Sequence, residues 1–136
     1  MQTEVIEIRT GGQEAVVALD REIDRFLTAA DAREGLLSVW VPHATAGLAV
    51  IETGAGSDAD LLAALRDLLP AHDRWRHRHG SAGHGRDHVL PAIVSPSLAV
   101  PVLDGRMTLG TWQSVCIVDT NRDNPVRSVR LSFLAG

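Results

Sequence analysis

The sequence predicts one α+β domain that extends over residues 1–136. The chain has 136 residues, the size of one ordinary domain with a single hydrophobic core. Its first half alternates strand and helix patterns, whereas the residues after Pro91 show strand patterns alone. This order is typical of an α+β fold and not of a repeating βαβ fold. No repeat, low-complexity tract or linker divides the chain.

The first half contains three predicted strands and one predicted helix. Residues 5–9 alternate loosely between apolar and polar side chains, which predicts an opening strand. Residues 13–32 carry apolar side chains at every third or fourth position, which predicts a helix that ends before Gly35. Residues 36–41 are a continuous apolar run, which favours a strand buried on both faces, and residues 47–52 form its candidate partner.

A second helix is predicted to begin at Ser57 and to end at Pro70. Asp58 and Asp60 occupy its first turn, where the helix dipole favours carboxylates. Its predicted buried face consists of Leu61, Leu62, Leu65, Leu68 and Leu69. Four further strands are predicted at residues 98–103, 107–109, 114–119 and 127–134. The Asp104–Gly105 pair between two of these strands predicts a hairpin turn.

The composition excludes several classes of function. The formal net charge of −4 argues against general nucleic-acid binding. All 13 basic residues are arginine, so the chain has no lysine for a Schiff base or for a Walker-type phosphate loop. Cys116 is the single cysteine, which excludes an intrachain disulfide. Because the apolar runs are too short to span a bilayer and the N-terminus is polar, we expect no membrane association and a cytoplasmic location.

The segment 71–88 is the first candidate for chemistry. It holds five of the six histidines and four arginines, against only two carboxylates. Imidazole is a common ligand of divalent metals, and arginine suits phosphate or carboxylate groups. Arg76 and Arg78 are therefore candidate substrate-binding residues. The alternative is a solvated surface loop in which the histidines are incidental.

The remaining candidates lie at strand ends. His43 follows a predicted core strand and is flanked by small residues, so it is either a pocket residue or a satisfied structural histidine. Glu52 ends the neighbouring strand, where its carboxylate can orient an imidazole, bind metal or simply face solvent. Trp112 and Gln113 can supply a stacking face and an amide for an aromatic heterocycle, although a tryptophan packed in the core is equally common.

Together these segments resemble the YjbQ family, whose members are described as secondary thiamine-phosphate synthase enzymes. The segments that carry the resemblance are Pro42-His43-Ala44-Thr45-Ala46-Gly47-Leu48, Trp75-Arg76-His77, His88 followed by Ser95-Pro96-Ser97, and Gly105-Arg106 followed by Gly110-Thr111-Trp112-Gln113. Two departures fall at the presumed site. Ala44 replaces the family's usual hydroxyl residue, and His84-Gly85-Arg86-Asp87 replaces a stretch rich in aspartate or asparagine.

The resemblance implies a β-sandwich-like core of mixed or antiparallel strands with two main helices outside, assembled as a homotrimer. It implies a transferase that joins a pyrimidine pyrophosphate to a thiazole phosphate and releases pyrophosphate. The candidate catalytic residues are His43, Thr45 and Glu52, and the candidate substrate-binding residues are Arg76, Arg78, Thr111, Trp112 and Gln113. Another metal-dependent hydrolase or transferase, and a non-catalytic trimer that binds a small ligand or metal, are the alternatives.

The resemblance also selects His43, His77 and His88 as ligands of one divalent metal, with zinc, nickel and magnesium all open. Three imidazoles with an open position are typical of a catalytic metal site. His84 and His88 are four residues apart and form a rival pair of ligands. In a further alternative no metal binds, and the histidines contact a small phosphorylated substrate directly.

Overall fold

Eight antiparallel strands in two sheets form the framework of the computed structural model, which describes residues 1–72 and 74–136 and leaves Asp73 outside its description. The strands are β1 Gln2–Arg9, β2 Ala15–Ala18, β3 Gly35–Trp40, β4 Ala46–Ile51, β5 Ser97–Leu103, β6 Arg106–Met107, β7 Ser114–Asp119 and β8 Val126–Ala135. One sheet has the order β1-β8-β3-β5-β6, and the other has the order β2-β7-β4. The helices are α1 Asp20–Ala29, α2 Ser57–Leu68 and α3 His84–Asp87, and a 3₁₀ helix covers Leu90–Ala92.

Strand β7 divides the apolar interior into two cores. Because side chains alternate along a strand, Val115 and Ile117 point into the main core between the two sheets, where α1 also packs. Val118 points the other way, into a smaller core with Leu65 of α2 and with Leu90. The predicted α+β domain with a sandwich-like core is confirmed, and every strand pair described is antiparallel.

Two local predictions are wrong. Residues 15–18 form β2 against β7, and the helix begins only at Asp20. Val16 and Leu19 match a helical spacing, but the β-branched pair Val16–Val17 fits a sheet at least as well. Strand β3 is buried on one face only, since Leu37 and Val39 are buried while Leu36 and Trp40 are exposed.

The predicted hairpin turn is confirmed. Asp104 and Gly105 join β5 to β6 with φ angles of 51° and 78°, as a turn with two positive φ angles requires.

On α2, Leu65 is buried but Leu68 is 57% exposed, so the buried apolar face of the helix is narrower than the leucine spacing predicts. None of the helices in the described part of the chain has the length and hydropathy needed to cross a membrane.

Candidate functional site

Four imidazoles meet beside the smaller core. His77 and His79 come from the loop after α2, His84 begins α3, and His88 follows α3. The ring centroids of His77 and His88 are 4.1 Å apart, those of His79 and His84 are 4.6 Å apart, and those of His84 and His88 are 4.9 Å apart. We refer to these residues as the four-histidine cluster. His77, His79 and His84 line a cavity of about 270 Å³ that Trp75 and Arg78 also line.

His84 and His88 bring two ring nitrogens within hydrogen-bond distance of each other. One helical turn separates them, and their Nε2 atoms are 3.1 Å apart. The Nδ1 atom of His84 is 2.7 Å from Oδ2 of Asp123. The backbone N–H of Ser81 and then the His84 imidazole hold the pKa of Asp123 below its usual range, so this carboxylate is ionised and can only accept hydrogen bonds. His84 therefore donates from Nδ1, and its Nε2 faces the cluster.

Glycines allow the loop to fold back onto α3. A Cβ atom on Gly85 would lie 2.5 Å from the carbonyl oxygen of His77 and 2.7 Å from Cβ of Trp75. Trp75 is itself fixed, because its Nε1 donates a 2.8 Å hydrogen bond to the carbonyl oxygen of Pro70. The close contact at Gly85 is therefore what allows His77 to reach His88.

The environment keeps two of the imidazoles neutral. Desolvation and then the charges of neighbouring imidazoles lower the pKa of His88 and of His77 below the ordinary value. At pH 7 both rings are therefore neutral, and each has one unprotonated nitrogen. Neutral imidazoles are the form that binds a metal ion.

Hydrogen bonds between buried polar groups hold α3 next to the segment that carries Asp123. Asp87 is 2% exposed and accepts hydrogen bonds from Thr120 Oγ1 at 2.6 Å and from Asn121 Nδ2 at 3.0 Å. Burial raises the pKa of Asp87 in spite of these bonds. The Oδ1 atom of Asn121 also accepts hydrogen bonds from the backbone N–H groups of Asp123 and Asn124. Asn121 thus holds the segment that carries Asp123 in place next to α3.

His43 occupies a different position. Its Nε2 accepts a 2.9 Å hydrogen bond from the backbone N–H of Ser128, and none of the histidine ring contacts among the described residues includes it. Burial and then the charge of Arg127 lower the pKa of His43. The chain therefore brings together two of the three predicted ligands, His77 and His88, and places His43 beside Arg127.

Thr45 and Arg127 belong to a buried ion-pair network. Arg127 is 1% exposed and donates to Asp119 from Nε at 2.7 Å and from Nη2 at 3.0 Å. The same Nη2 donates to Thr45 Oγ1 at 2.9 Å. Asp119 accepts further hydrogen bonds from Thr10 Oγ1 and from the backbone N–H of Asn121. Thr45, a predicted catalytic residue, is 4% exposed and binds the arginine in this network.

Glu52 lies at the opposite end of β4 from His43. Because β4 and β7 are antiparallel, Ala46 pairs with Asp119 and Ile51 pairs with Ser114. Six residues of strand span about 17–20 Å, so Glu52 does not orient the His43 imidazole within one chain. Glu52 is exposed directly after β4, at the same end of the sheet as Gln113, which directly precedes β7.

The predicted heterocycle-binding residues form a turn at that same end. The backbone N–H of Gly110 donates to Gln113 Oε1 at 2.8 Å, and the backbone N–H of Gln113 donates to the carbonyl oxygen of Gly110 at 3.0 Å. Gln113 therefore stabilises its own turn. Trp112 is 73% exposed at the tip of the turn, and Thr111 is exposed beside it.

The predicted anion-binding arginines lie in the loop that carries His77 and His79. Arg78 lines the cavity of the four-histidine cluster, and its Nε donates to the carbonyl oxygen of Trp75 at 3.2 Å. Arg76 is exposed in the same loop. A small anion in the cavity would lie next to Arg78.

The sequence patterns missed the part played by Asp123. His79 and His84 were recognisable as members of a histidine-rich loop, and the four-residue spacing of His84 and His88 indicated their contact. Asp123 lies 39 residues after His84, and no local pattern connects two residues so far apart. Its partner could be found only from the fold.

Comparisons with known proteins identify the relatives of this chain. The family profile described as "UPF0047 protein YjbQ-like" matches residues 4–136. The chain belongs to the YjbQ-like UPF0047 family. The UPF0047 protein Rv2556c of Mycobacterium tuberculosis is 57% identical over 136 residues, which are 100% of both chains. The UPF0047 protein YugU of Bacillus subtilis is 30% identical over 113 residues, covering 81% of this chain and 83% of YugU.

Two solved structures have the same fold as this chain. The hypothetical protein APE1520 from Aeropyrum pernix K1 superposes with a TM-score of 0.89 and 30% identity, over 100% of both chains. The YbjQ-like protein of unknown function SSO2532 from Sulfolobus solfataricus superposes with a TM-score of 0.91 over 99% of this chain and 97% of its own. SSO2532 is 19% identical to this chain, so that comparison supports the fold alone.

Proposed function

We propose that this YjbQ-like protein binds a divalent metal ion at the four-histidine cluster and acts there as a transferase on a phosphorylated small molecule. Within that class we propose secondary thiamine-phosphate synthase activity, the activity that the family resemblance implies. The observation that carries the metal site is the 3.1 Å separation between the Nε2 atoms of His84 and His88, combined with the bond from His84 Nδ1 to Asp123.

The donor set fits a divalent transition metal. Two nitrogen ligands of one zinc ion are about 2.9–3.4 Å apart when each lies about 2.0–2.1 Å from the metal, and the observed separation lies in this range. Ligand atoms of His77, His79 and His84 all lie within 4.8 Å of one another. A carboxylate that fixes the tautomer of a ligating imidazole is a frequent feature of such sites. Nitrogen donors favour zinc or nickel over magnesium, which prefers oxygen.

The protein groups around the cluster have separable tasks in this proposal. A divalent cation there would neutralise negative charge that develops on a departing phosphate or pyrophosphate group. Arg78 lines the cavity and would bind the phosphate oxygens through charge-assisted hydrogen bonds. Asp123 and Asn121 would hold the His84 ring in position. In the transfer itself, the carbon–oxygen bond to pyrophosphate breaks and a bond from that carbon to the thiazole nitrogen forms.

We also propose that the protein assembles as a homotrimer. Leu36, Trp40 and Leu134 are between 41% and 44% exposed on the outer face of the five-stranded sheet, and Leu36 pairs directly with Leu134. Covering such a face with further copies removes apolar surface from water. Assembly would also allow Trp112 or Glu52 of one copy to approach the cluster of another. Light scattering should give about three times 14.6 kDa, and Trp40→Glu should lower that mass; a monomeric wild type contradicts the trimer.

The location that goes with this proposal is the cytoplasm, where phosphorylated intermediates are retained. Cell fractionation followed by immunoblotting tests this part separately. Recovery of the protein in the membrane or extracellular fraction contradicts it.

Metal content measured per chain tests the proposed metal site. We expect His84→Ala and His88→Ala to lose most of the bound metal. We expect His72→Ala to retain it, because His72 lines the same cavity but none of the described ring contacts includes it. His43→Ala separates the two ligand sets, because it should retain metal if the cluster alone binds. Full occupancy in the His84→Ala and His88→Ala variants overturns the site.

Product formation tests the proposed reaction. Wild-type protein loaded with metal should form thiamine phosphate from the pyrimidine pyrophosphate and the thiazole phosphate, and His88→Ala should lose this activity while keeping its fold. Metal binding without this product would reassign the site to another hydrolase or transferase reaction. Metal binding without turnover of any phosphorylated compound would indicate a binding protein.

A further inference from the structure

A second polar cavity lies next to the cavity of the four-histidine cluster. Two adjoining hollows, of about 440 Å³ and about 320 Å³, are both lined by Glu14, Arg66 and Arg122. Arg86 lines the smaller one. We refer to this pair of hollows as the arginine cavity.

Glu14 holds two of the three guanidinium groups side by side. Arg66 Nε donates to Glu14 Oε2 at 2.6 Å, and Arg86 Nη2 donates to Glu14 Oε1. The side chains of Glu14 and Arg86 are only 7% and 5% exposed. Burial alone would raise the pKa of Glu14, but the hydrogen bonds and charges of Arg66 and Arg86 hold it below the ordinary value. The carboxylate is therefore ionised, and both of its oxygens are occupied.

The arginine cavity keeps an excess of positive charge. Three guanidinium groups face it, and Glu14 is the one carboxylate among the described lining residues. Asp87 Oδ1 also lies 3.4 Å from Arg86 Nε behind the lining, so the formal excess is one positive charge. Arg66 commits one of its five N–H donors, and within the described residues Arg122 makes no hydrogen bond to the protein. Such an excess is unusual in a chain of net charge −4. Planar guanidinium groups with uncommitted donors bind oxyanions by paired hydrogen bonds.

We propose that the arginine cavity is a binding site for a phosphate-type anion, either a phosphate monoester or a diphosphate. Arg66 and Arg122 bind its oxygens, and Arg86 supplies a fixed positive charge behind them. Arg66 and Arg122 line both hollows, and their uncommitted donors match the several oxygens of a phosphate group better than the two oxygens of a single carboxylate. This site is separate from the four-histidine cluster and does not depend on a metal there.

The two sites are nevertheless neighbours. Ala71 and Ala82 line both the arginine cavity and the histidine cavity. His84 and Arg86 are two residues apart on α3, and one lines each cavity. A ligand bound by Arg66 and Arg122 would therefore lie across a thin wall from the cluster.

Calorimetric titration of inorganic pyrophosphate into protein treated with EDTA tests the proposal without a metal. We expect one site per chain, and about tenfold weaker binding for each of Arg66→Gln and Arg122→Gln. The matched control is the double variant Arg76→Gln/Arg78→Gln, which removes the same charge as Arg66→Gln/Arg122→Gln from the loop of the histidine site. That control should change the affinity less than threefold.

Three results would overturn the anion site. They are an absence of pyrophosphate binding by the wild type, an equal loss of affinity in both double variants, and a loss confined to the Arg76→Gln/Arg78→Gln variant. Arg122→Gln is the decisive single variant, because Arg122 is exposed and its replacement removes no contact described within the protein. Thermal unfolding of each variant confirms that the fold is retained.

Discussion

Replacing Arg127 with methionine should destabilise the protein by about 3–5 kcal/mol, because it leaves a buried carboxylate without its counter-ion. Asp119 is fully buried and receives two hydrogen bonds from Arg127. A hydrogen bond to a charged group contributes about 1.5–3 kcal/mol, so two such bonds account for about 3–6 kcal/mol. Methionine restores part of the lost packing of the side-chain stem. A loss of this size is a large fraction of the stability of a small domain.

Urea unfolding followed by tryptophan fluorescence measures this loss. Arg25→Met is the matched control, since Arg25 is exposed on α1 and its replacement should change stability by less than about 0.5 kcal/mol. The double variant Arg127→Met/Asp119→Asn removes both charges and should be less destabilised than the sum of its two single variants. The reasoning fails if Arg127→Met costs less than about 1 kcal/mol or if the two single changes add.

Three further predictions concern single groups. Asp123→Asn should weaken metal binding by about 10–100-fold in a competition titration, whereas Asp67→Asn on the exposed side of α2 should leave it unchanged; equal affinities would remove Asp123 from the site. The free energy of unfolding should fall as the pH drops below 6.5. His43 has a lowered pKa in the folded protein, so at such a pH the unfolded chain binds a proton at His43 more readily than the folded chain does. In His43→Gln this pH dependence should be weaker, by at most about 1.4 kcal/mol per pH unit, and identical slopes would refute it. Burial raises the pKa of the Cys116 thiol to about 11, so a disulfide reagent at pH 8 should modify it only after unfolding, and rapid modification of the native protein would contradict its burial.

The fold could be predicted where local patterns and packing agree. The leucine-rich helix α2 and the Asp104–Gly105 hairpin both follow from short-range chemistry that the tertiary structure leaves unchanged. The prediction failed at Val16, where a short strand pairs with β7 although the spacing also fits a helix. It failed again in choosing the strand buried on both faces, which is β7 and not β3. Both errors depend on which strands become neighbours, and hydrophobic periodicity does not contain that information.

The candidate site was likewise predicted only in part. His77 and His88 meet as the family resemblance implies, because the loop and α3 are close in the chain. Asp123 contacts His84 of α3, and Asp119 of β7 contacts Arg127 of β8 in the other sheet, so both contacts depend on the tertiary fold. The resemblance placed His43 among the metal ligands, whereas in the structure its Nε2 accepts a hydrogen bond from the backbone N–H of Ser128. Whether a metal binds stays a prediction.

All four imidazoles of the cluster come from a stretch of only twelve residues, 77–88, whereas the framework beneath them is built from strands spread over the whole chain. Point changes in this stretch can therefore add or remove a nitrogen donor without altering a strand pair. His84 is an example, since one imidazole supplies both a nitrogen that faces the cluster and a bond to a carboxylate on a separate segment. A fold of this kind is free to diversify its chemistry through one loop while its sheets stay constant.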